Sequence, residues 1–63
     1  MKNEELQIRR KVAIDMVNKL GYQEYRNYLF EGYKNAKGFQ KEAKMKGIRA
    51  LNYVVNHKLV EVV

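Results

Sequence analysis

The chain of 63 residues contains no cysteine, proline, serine, threonine or tryptophan. Without cysteine there is no disulfide framework, no thiolate nucleophile and no sulfur-ligated zinc site. Without serine and threonine, covalent catalysis through an aliphatic hydroxyl is excluded. A domain of about 60 residues buries only about 60 % of the surface that its unfolded chain exposes. The fold therefore depends on a small apolar core, and we expect association to contribute to its stability.

Histidine and long apolar runs are also scarce. His57 is the only histidine, and no cluster of histidines or carboxylates at metal-ligand spacing accompanies it. The sequence shows no paired carboxylates, glycine-rich phosphate loop or nucleophile–base pair. We therefore expect a protein that is not an enzyme, with no catalytic residue, no metal and no cofactor. Because signal-peptide and membrane-span patterns are missing too, the sequence predicts a cytoplasmic protein with no membrane partner.

Positive charge is concentrated in one part of the chain. Thirteen Lys and Arg residues against seven Asp and Glu residues give a formal net charge of +6. Residues 34–49, the basic window, hold six of these bases and a single acid, Glu42. A local excess of this kind favours a polyanionic partner, since it attracts phosphate-bearing molecules.

Glycines divide the chain into helical segments. Apolar residues recur at spacings of three and four over Asn3–Leu20, and Gly21 stands where a helix would end. A second stripe predicts a helix over Tyr22–Ala36, and Asn35–Gly38 reads as a short linker. We expect an all-α protein: a single compact domain, residues 1–63, built as a bundle of three to four helices.

The stretch that begins at Phe39 contains a candidate helix-turn-helix. That unit requires a small residue where two helices cross, a residue able to turn the chain four positions later, and then an aliphatic side chain. Ala43, Gly47 and Ile48 supply these three in order. On this interpretation Lys46–Arg49 form the turn, and the recognition helix follows it.

The run Ala43–Ile48, followed by a helix and the β-prone Lys58–Val62, resembles the helix-turn-helix of small phage repressors and excisionase-like regulators. The resemblance covers about 25 residues. It implies a DNA-binding transcriptional regulator, or a recombination accessory protein of a phage or plasmid, that acts as a homodimer and carries a short C-terminal strand. Phosphate or base contacts are expected from Lys37, Lys41, Lys44, Lys46, Arg49 and Asn52.

A single helix from Phe39 to beyond His57 is the competing interpretation, with Gly47 tolerated at a cost of about 1 kcal/mol. Such a helix has two apolar faces, one for the monomer core and one for a partner or a second copy. It favours a helical protein-interaction module, or a small inhibitor that binds a host protein. The partner face would consist of Ile48, Leu51, Val55, Leu59 and Val62. The coincidence of the glycine spacing with the basic window favours the turn.

Two further patterns carry less weight. Tyr25, Tyr28 and Tyr33 could stack on single-stranded nucleic acid, but their helical spacing is more typical of tyrosines that fill a core. The basic triplet of residues 9–11 is more typical of a solvated helix face than of a phosphate site. Glu5 and Arg9 form an acid-before-base pair four residues apart.

Overall fold

The structure, a computed structural model, describes the backbone of residues 2–62 and the side chains of residues 4–62. It consists of three α-helices: α1, Lys2–Leu20; α2, Tyr22–Asn35; and α3, Phe39–Asn56. No strand occurs within residues 2–62. The predicted all-α bundle is therefore confirmed, with three helices.

Two glycines make the corners. Gly21 alone joins α1 to α2, and its φ of 87° and ψ of 156° lie in a region that is open essentially to glycine only. Its N–H donates to the Val17 carbonyl at 2.8 Å. Gly38, with φ 61°, ends the three-residue link Ala36–Gly38 before α3. The predicted end of α1 at Gly21 is confirmed, since only a residue without Cβ takes this backbone readily.

The predicted turn at Lys46–Arg49 is wrong, because α3 continues through it as unbroken helix. Gly47 instead marks a close approach between helices: a Cβ added there would lie 3.1 Å from Leu29 Cδ2 on α2. A small residue is needed at such a crossing whether or not the chain turns. Glycine costs about 1 kcal/mol relative to alanine in a helix interior, and in return the missing Cβ leaves room for the Leu29 side chain.

The C-terminus of α3 is closed by a left-handed residue. Lys58 has φ 58°. Its N–H donates to the Val55 carbonyl at 3.1 Å, and the next N–H, of Leu59, donates to the Val54 carbonyl at 2.8 Å. This pair of bonds is the Schellman motif, which satisfies carbonyls left over at a helix end.

The predicted C-terminal strand is not formed over Leu59–Val62. The part of that prediction that concerns Val63 lies outside the described residues. A lone β-prone segment has no neighbour with which to pair its backbone groups, so its propensity is not realised. Val60 packs against the core instead.

Half of the core comes from α3. Leu51 and Val54 are its most deeply buried large side chains, at 1 % and 0 % exposure. α3 packs more extensively against α1 and α2 than those two helices pack against each other, so it is the central element of the bundle. The buried set comprises Ala13, Val17, Tyr25, Leu29, Ile48, Ala50, Leu51 and Val54.

The outer sides of the helices are mainly polar or charged, but several large apolar side chains are also exposed there, Ile8 at 64 % and Phe39 at 85 % among them. Within residues 2–62, none of the three helices has the length and apolar character required to cross a lipid bilayer.

Candidate nucleic-acid interface

The exposed side of α3 carries the candidate site, with Lys41 at its border with α2 and Arg49 at its border with α1. Its residues follow one another at steps of four, four, three and four, which keeps them on one face of a helix. Four of them are exposed and Met45 is half-buried. We call this surface the solvent face of α3: Lys41, Met45, Arg49, Asn52 and Asn56.

Arg49 and Asn52 are the two polar groups on this face that can form several directed hydrogen bonds with a ligand. They lie one turn apart and both are exposed. Neither side chain is hydrogen-bonded or ion-paired to another side chain among residues 4–62. A guanidinium group matches the acceptors of guanine, and an amide matches the donor and acceptor of adenine. The helix thus presents a guanidinium and an amide group whose polar atoms are available to a ligand.

Lys46 lies beside this face but is tied to α1. Its Nζ is 3.5 Å from Glu5 Oε1, and Arg9 Nε donates to the same oxygen at 3.3 Å. The hydrogen bond from Arg9 and the nearby charge of Lys46 lower the pKa of the Glu5 carboxyl. Arg49 lines the same depression between α1 and α3. We call Arg9, Lys46 and Arg49, grouped around Glu5, the α1–α3 basic cluster.

Lys44 is a structural residue of the α2–α3 contact. Its Nζ lies 4.4 Å from the centroid of the Tyr28 ring and donates to Tyr28 Oη at 3.2 Å. Its stem packs over Gly32, where an added Cβ would lie 2.8 Å from Lys44 Cε. The structure therefore does not bring Lys44 together with Arg49 and Asn52, although all three were predicted to contact DNA.

Lys37 and Lys41 extend the basic surface around the start of α3. Lys37 is exposed in the link between α2 and α3. Lys41 Nζ lies 4.8 Å from the centroid of the Tyr33 ring, an arrangement that leaves the ammonium group in solvent. Such lysines are suited to phosphate contact, because an ammonium group acts as a mobile point charge.

A stack at the other end of α3 was missed by the sequence analysis. The guanidinium carbon of Arg10 lies 3.6 Å from the centroid of the Tyr53 ring. His57 stacks on the same tyrosine, with ring centroids 4.0 Å apart. The spacing of four between Tyr53 and His57 signals half of this arrangement. The contact of Arg10 with Tyr53 depends on how α1 crosses α3, so no local sequence pattern predicts it.

The three tyrosines proposed as a stacking platform do not share an exposed surface. Tyr25 is a core residue, and desolvation by burial raises the pKa of its hydroxyl. Tyr28 is exposed but covered on one side by Lys44, and Tyr33 is half-buried. This geometry gives little support to single-strand stacking.

The predicted partner face is divided between core and surface. Ile48 and Leu51 are buried within the monomer, and Val55 is half-buried. Leu59 and Val62, which lie beyond α3, are about half exposed. The reason is that this apolar side of α3 packs against the protein's own other helices, so only the last two residues are left for a partner.

Comparison with protein-family models, curated proteins and solved structures finds no match to this chain.

Proposed function

We propose that this protein binds double-stranded DNA through the solvent face of α3. The observation that carries the proposal is the exposure of Arg49 and Asn52 one turn apart on that face, with their polar groups unengaged by described side chains. Since a major groove admits one α-helix, a helix with a guanidinium and an amide on its outer side is suited to reading base edges there.

In this proposal the two helices of the helix-turn-helix unit are α2 and α3, and not the two halves of α3. They are joined by three residues, Ala36–Gly38, of which the last is a glycine with positive φ. Helix-turn-helix units commonly have a link of this length and composition. In this arrangement α3 acts as the recognition helix over its whole length.

Phosphate contacts would come from lysines at the edge of the solvent face. Lys37 and Lys41 are exposed near the start of α3, within the basic window. Contacts of this kind supply most of the affinity of small DNA-binding proteins and make it depend on salt. Glu42 is the one acid in the basic window, and its carboxylate would have to lie away from the phosphate backbone of the DNA.

The phage or plasmid setting implied by the resemblance depended on a turn at Lys46–Arg49, so it is not part of the proposal. The protein-interaction alternative has less support, because Ile48 and Leu51 are in the core. A homodimer would have to use Leu59 and Val62 or another surface. A role on DNA is compatible with the cytoplasmic location that the sequence predicts.

A duplex titration at several salt concentrations tests the proposal. We expect the affinity to fall steeply as salt rises, and Arg49→Glu to weaken binding and flatten this dependence. Lys11→Glu is the matched control, since Lys11 is exposed on α1 and the change in charge is the same. Absence of duplex binding at low salt, or equal effects of the two variants, would refute the proposal.

A further inference from the structure

The α1–α3 basic cluster joins two helices around a single carboxylate oxygen. Glu5 Oε1 accepts from Arg9 Nε of α1 at 3.3 Å and lies 3.5 Å from Lys46 Nζ of α3. Arg49 lines the same depression, which has a volume of about 420 Å³. The side chains of Glu5, Arg9 and Lys46 are 51 %, 31 % and 45 % exposed. Arg49 is exposed as well, so solvent and solutes reach all three cations.

Carboxylate and phosphate oxygens are recognised by the same donors, since guanidinium and ammonium groups form charge-assisted bonds with both. In this cluster Glu5 occupies the position between Arg9 and Lys46 that an anionic oxygen of a ligand would take. The depression is open to solvent on one side and is lined by Arg9, Lys46 and Arg49. It has room for a phosphate group next to the carboxylate.

The cluster also adjoins the solvent face of α3. Arg49 belongs to both, because it is exposed on that face and lines the depression. A nucleic-acid backbone that runs along the α1 side of α3 would therefore meet Arg9 and Lys46 next to Arg49.

We propose that Arg9, Lys46 and Arg49 form a phosphate-binding subsite for the backbone of a nucleic acid, which Glu5 occupies in the free protein. This inference rests on the proposed DNA-binding function and adds a subsite on α1 and a competing carboxylate. Arg9 thereby becomes a backbone-contacting residue, in contrast to the solvated role that its sequence context indicates.

Glu5 weakens binding but does not prevent it. Exposed ion pairs contribute little to stability, so the carboxylate can rotate out of the cluster at small cost. While it remains near a bound phosphate, however, two negative charges face each other. A glutamate carboxyl is ionised at neutral pH, and the lowered pKa of Glu5 extends its ionised range further into acid, so the competition persists at neutral pH.

Glu5→Gln compared with Glu4→Gln isolates this effect. Both changes remove one negative charge from adjacent exposed positions of α1, but Glu4 makes no ion pair with the described side chains. We expect Glu5→Gln to bind a DNA duplex about threefold to tenfold more tightly than Glu4→Gln at low salt. Its salt dependence should also be steeper, because freed cations make additional phosphate contacts.

A second variant assigns the gain to the cluster. In the Glu5→Gln background, Arg9→Gln should abolish the extra affinity, whereas Arg10→Gln should leave it unchanged because Arg10 stacks on Tyr53. Equal affinities of the Glu5→Gln and Glu4→Gln proteins, or a gain that survives Arg9→Gln, would overturn the inference. If the wild type binds duplex in either of those cases, the proposed function still stands.

Inorganic pyrophosphate separates the subsite from the DNA-binding function. We expect it to shift the Nε–H resonances of Arg9 and Arg49 at lower concentration in the Glu5→Gln protein than in the Glu4→Gln protein. If that shift occurs but no duplex binds, the anion site is supported for a small phosphate ligand and its assignment to nucleic acid is overturned. If neither occurs, the subsite and the proposed function both fail.

Discussion

A Cβ atom added at Gly47 of α3 would lie 3.1 Å from Cδ2 of Leu29 on α2. At these two residues, α2 and α3 approach closely enough that α3 requires a small side chain. Gly47 is helical here, so its role is steric and does not depend on a left-handed backbone.

Gly47→Ala is therefore expected to change the free energy of unfolding by less than about 1 kcal/mol. Alanine is favoured over glycine in a helix by about that amount, and the displacement of the Leu29 methyl group offsets part of the gain. Gly21→Ala is the contrasting variant, because Gly21 has open space around it but a φ of 87°. We expect it to destabilise the protein by about 1 to 3 kcal/mol.

Urea unfolding of the two variants measures this contrast. A loss of more than about 2 kcal/mol for Gly47→Ala would contradict this prediction, and would mean either that Leu29 cannot move aside or that the backbone at Gly47 is not helical. A neutral Gly21→Ala would contradict the single-residue junction between α1 and α2.

The boundaries of the helices were predictable because their signals are local. Gly21 and the linker that ends at Gly38 stand next to the segments that they separate, and apolar spacing identifies the helices between them. The turn was mistaken because Ala43 and Gly47 suit two geometries equally, a turn and a close helix crossing. Only the position of Leu29, eighteen residues earlier in the chain, distinguishes them.

The candidate site was predictable in composition but not in arrangement. The basic window identified Lys41, Lys46 and Arg49 from charge alone. Which lysine points outward depends on helix packing, and Lys44 is taken up by Tyr28 for that reason. The Glu5–Lys46 contact likewise joins positions that no local pattern connects.

Lys58→Gly is expected to stabilise the protein by about 1 kcal/mol. Lys58 has φ 58° at the C-terminal cap of α3, where a residue with Cβ is strained and glycine is preferred. Lys58→Ala removes the same charge but keeps Cβ, so it should give no such gain. Urea unfolding compares the two variants, and equal stabilities would show that the charge, and not the backbone, decides this position.

The Glu5 carboxyl is expected to make stability depend on acid pH. Its pKa is lowered from the ordinary 4.5, first by the hydrogen bond from Arg9 and then by the charge of Lys46. The folded state thus holds the ionised form more strongly than the unfolded state does. This contribution is present above pH 4.5 and is lost as the pH falls through the lowered value.

An NMR titration of the Glu5 side-chain carbonyl carbon measures this shift directly. We expect its midpoint to lie below 4.5 in the wild type and to move upward in Arg9→Gln. Arg10→Gln is the control, because it removes an equal charge from the next position. A midpoint that is the same in all three proteins would show that the ion pairs at Glu5 are not formed in solution.

Lys44→Met and Arg49→Met both remove one positive charge from α3, but we expect the first to lower stability and the second to weaken duplex binding. Lys44 is bound to Tyr28, so its loss is expected to lower stability by up to about 1 kcal/mol and to change duplex affinity little. Arg49 is exposed and makes no bond to described side chains. Its loss should leave stability within about 0.5 kcal/mol of the wild type and weaken duplex binding by about 1 to 3 kcal/mol.

Urea unfolding and duplex titration of the same two proteins separate these effects. Methionine preserves most of the length of either side chain, so differences report the charged group and its partners. If both variants weakened duplex binding equally, binding would follow net charge alone, and the solvent face of α3 would lose its special role. If only Lys44→Met weakened it, the interface would lie on the α2 side of α3, around Tyr28 and Gly32, where Lys44 packs.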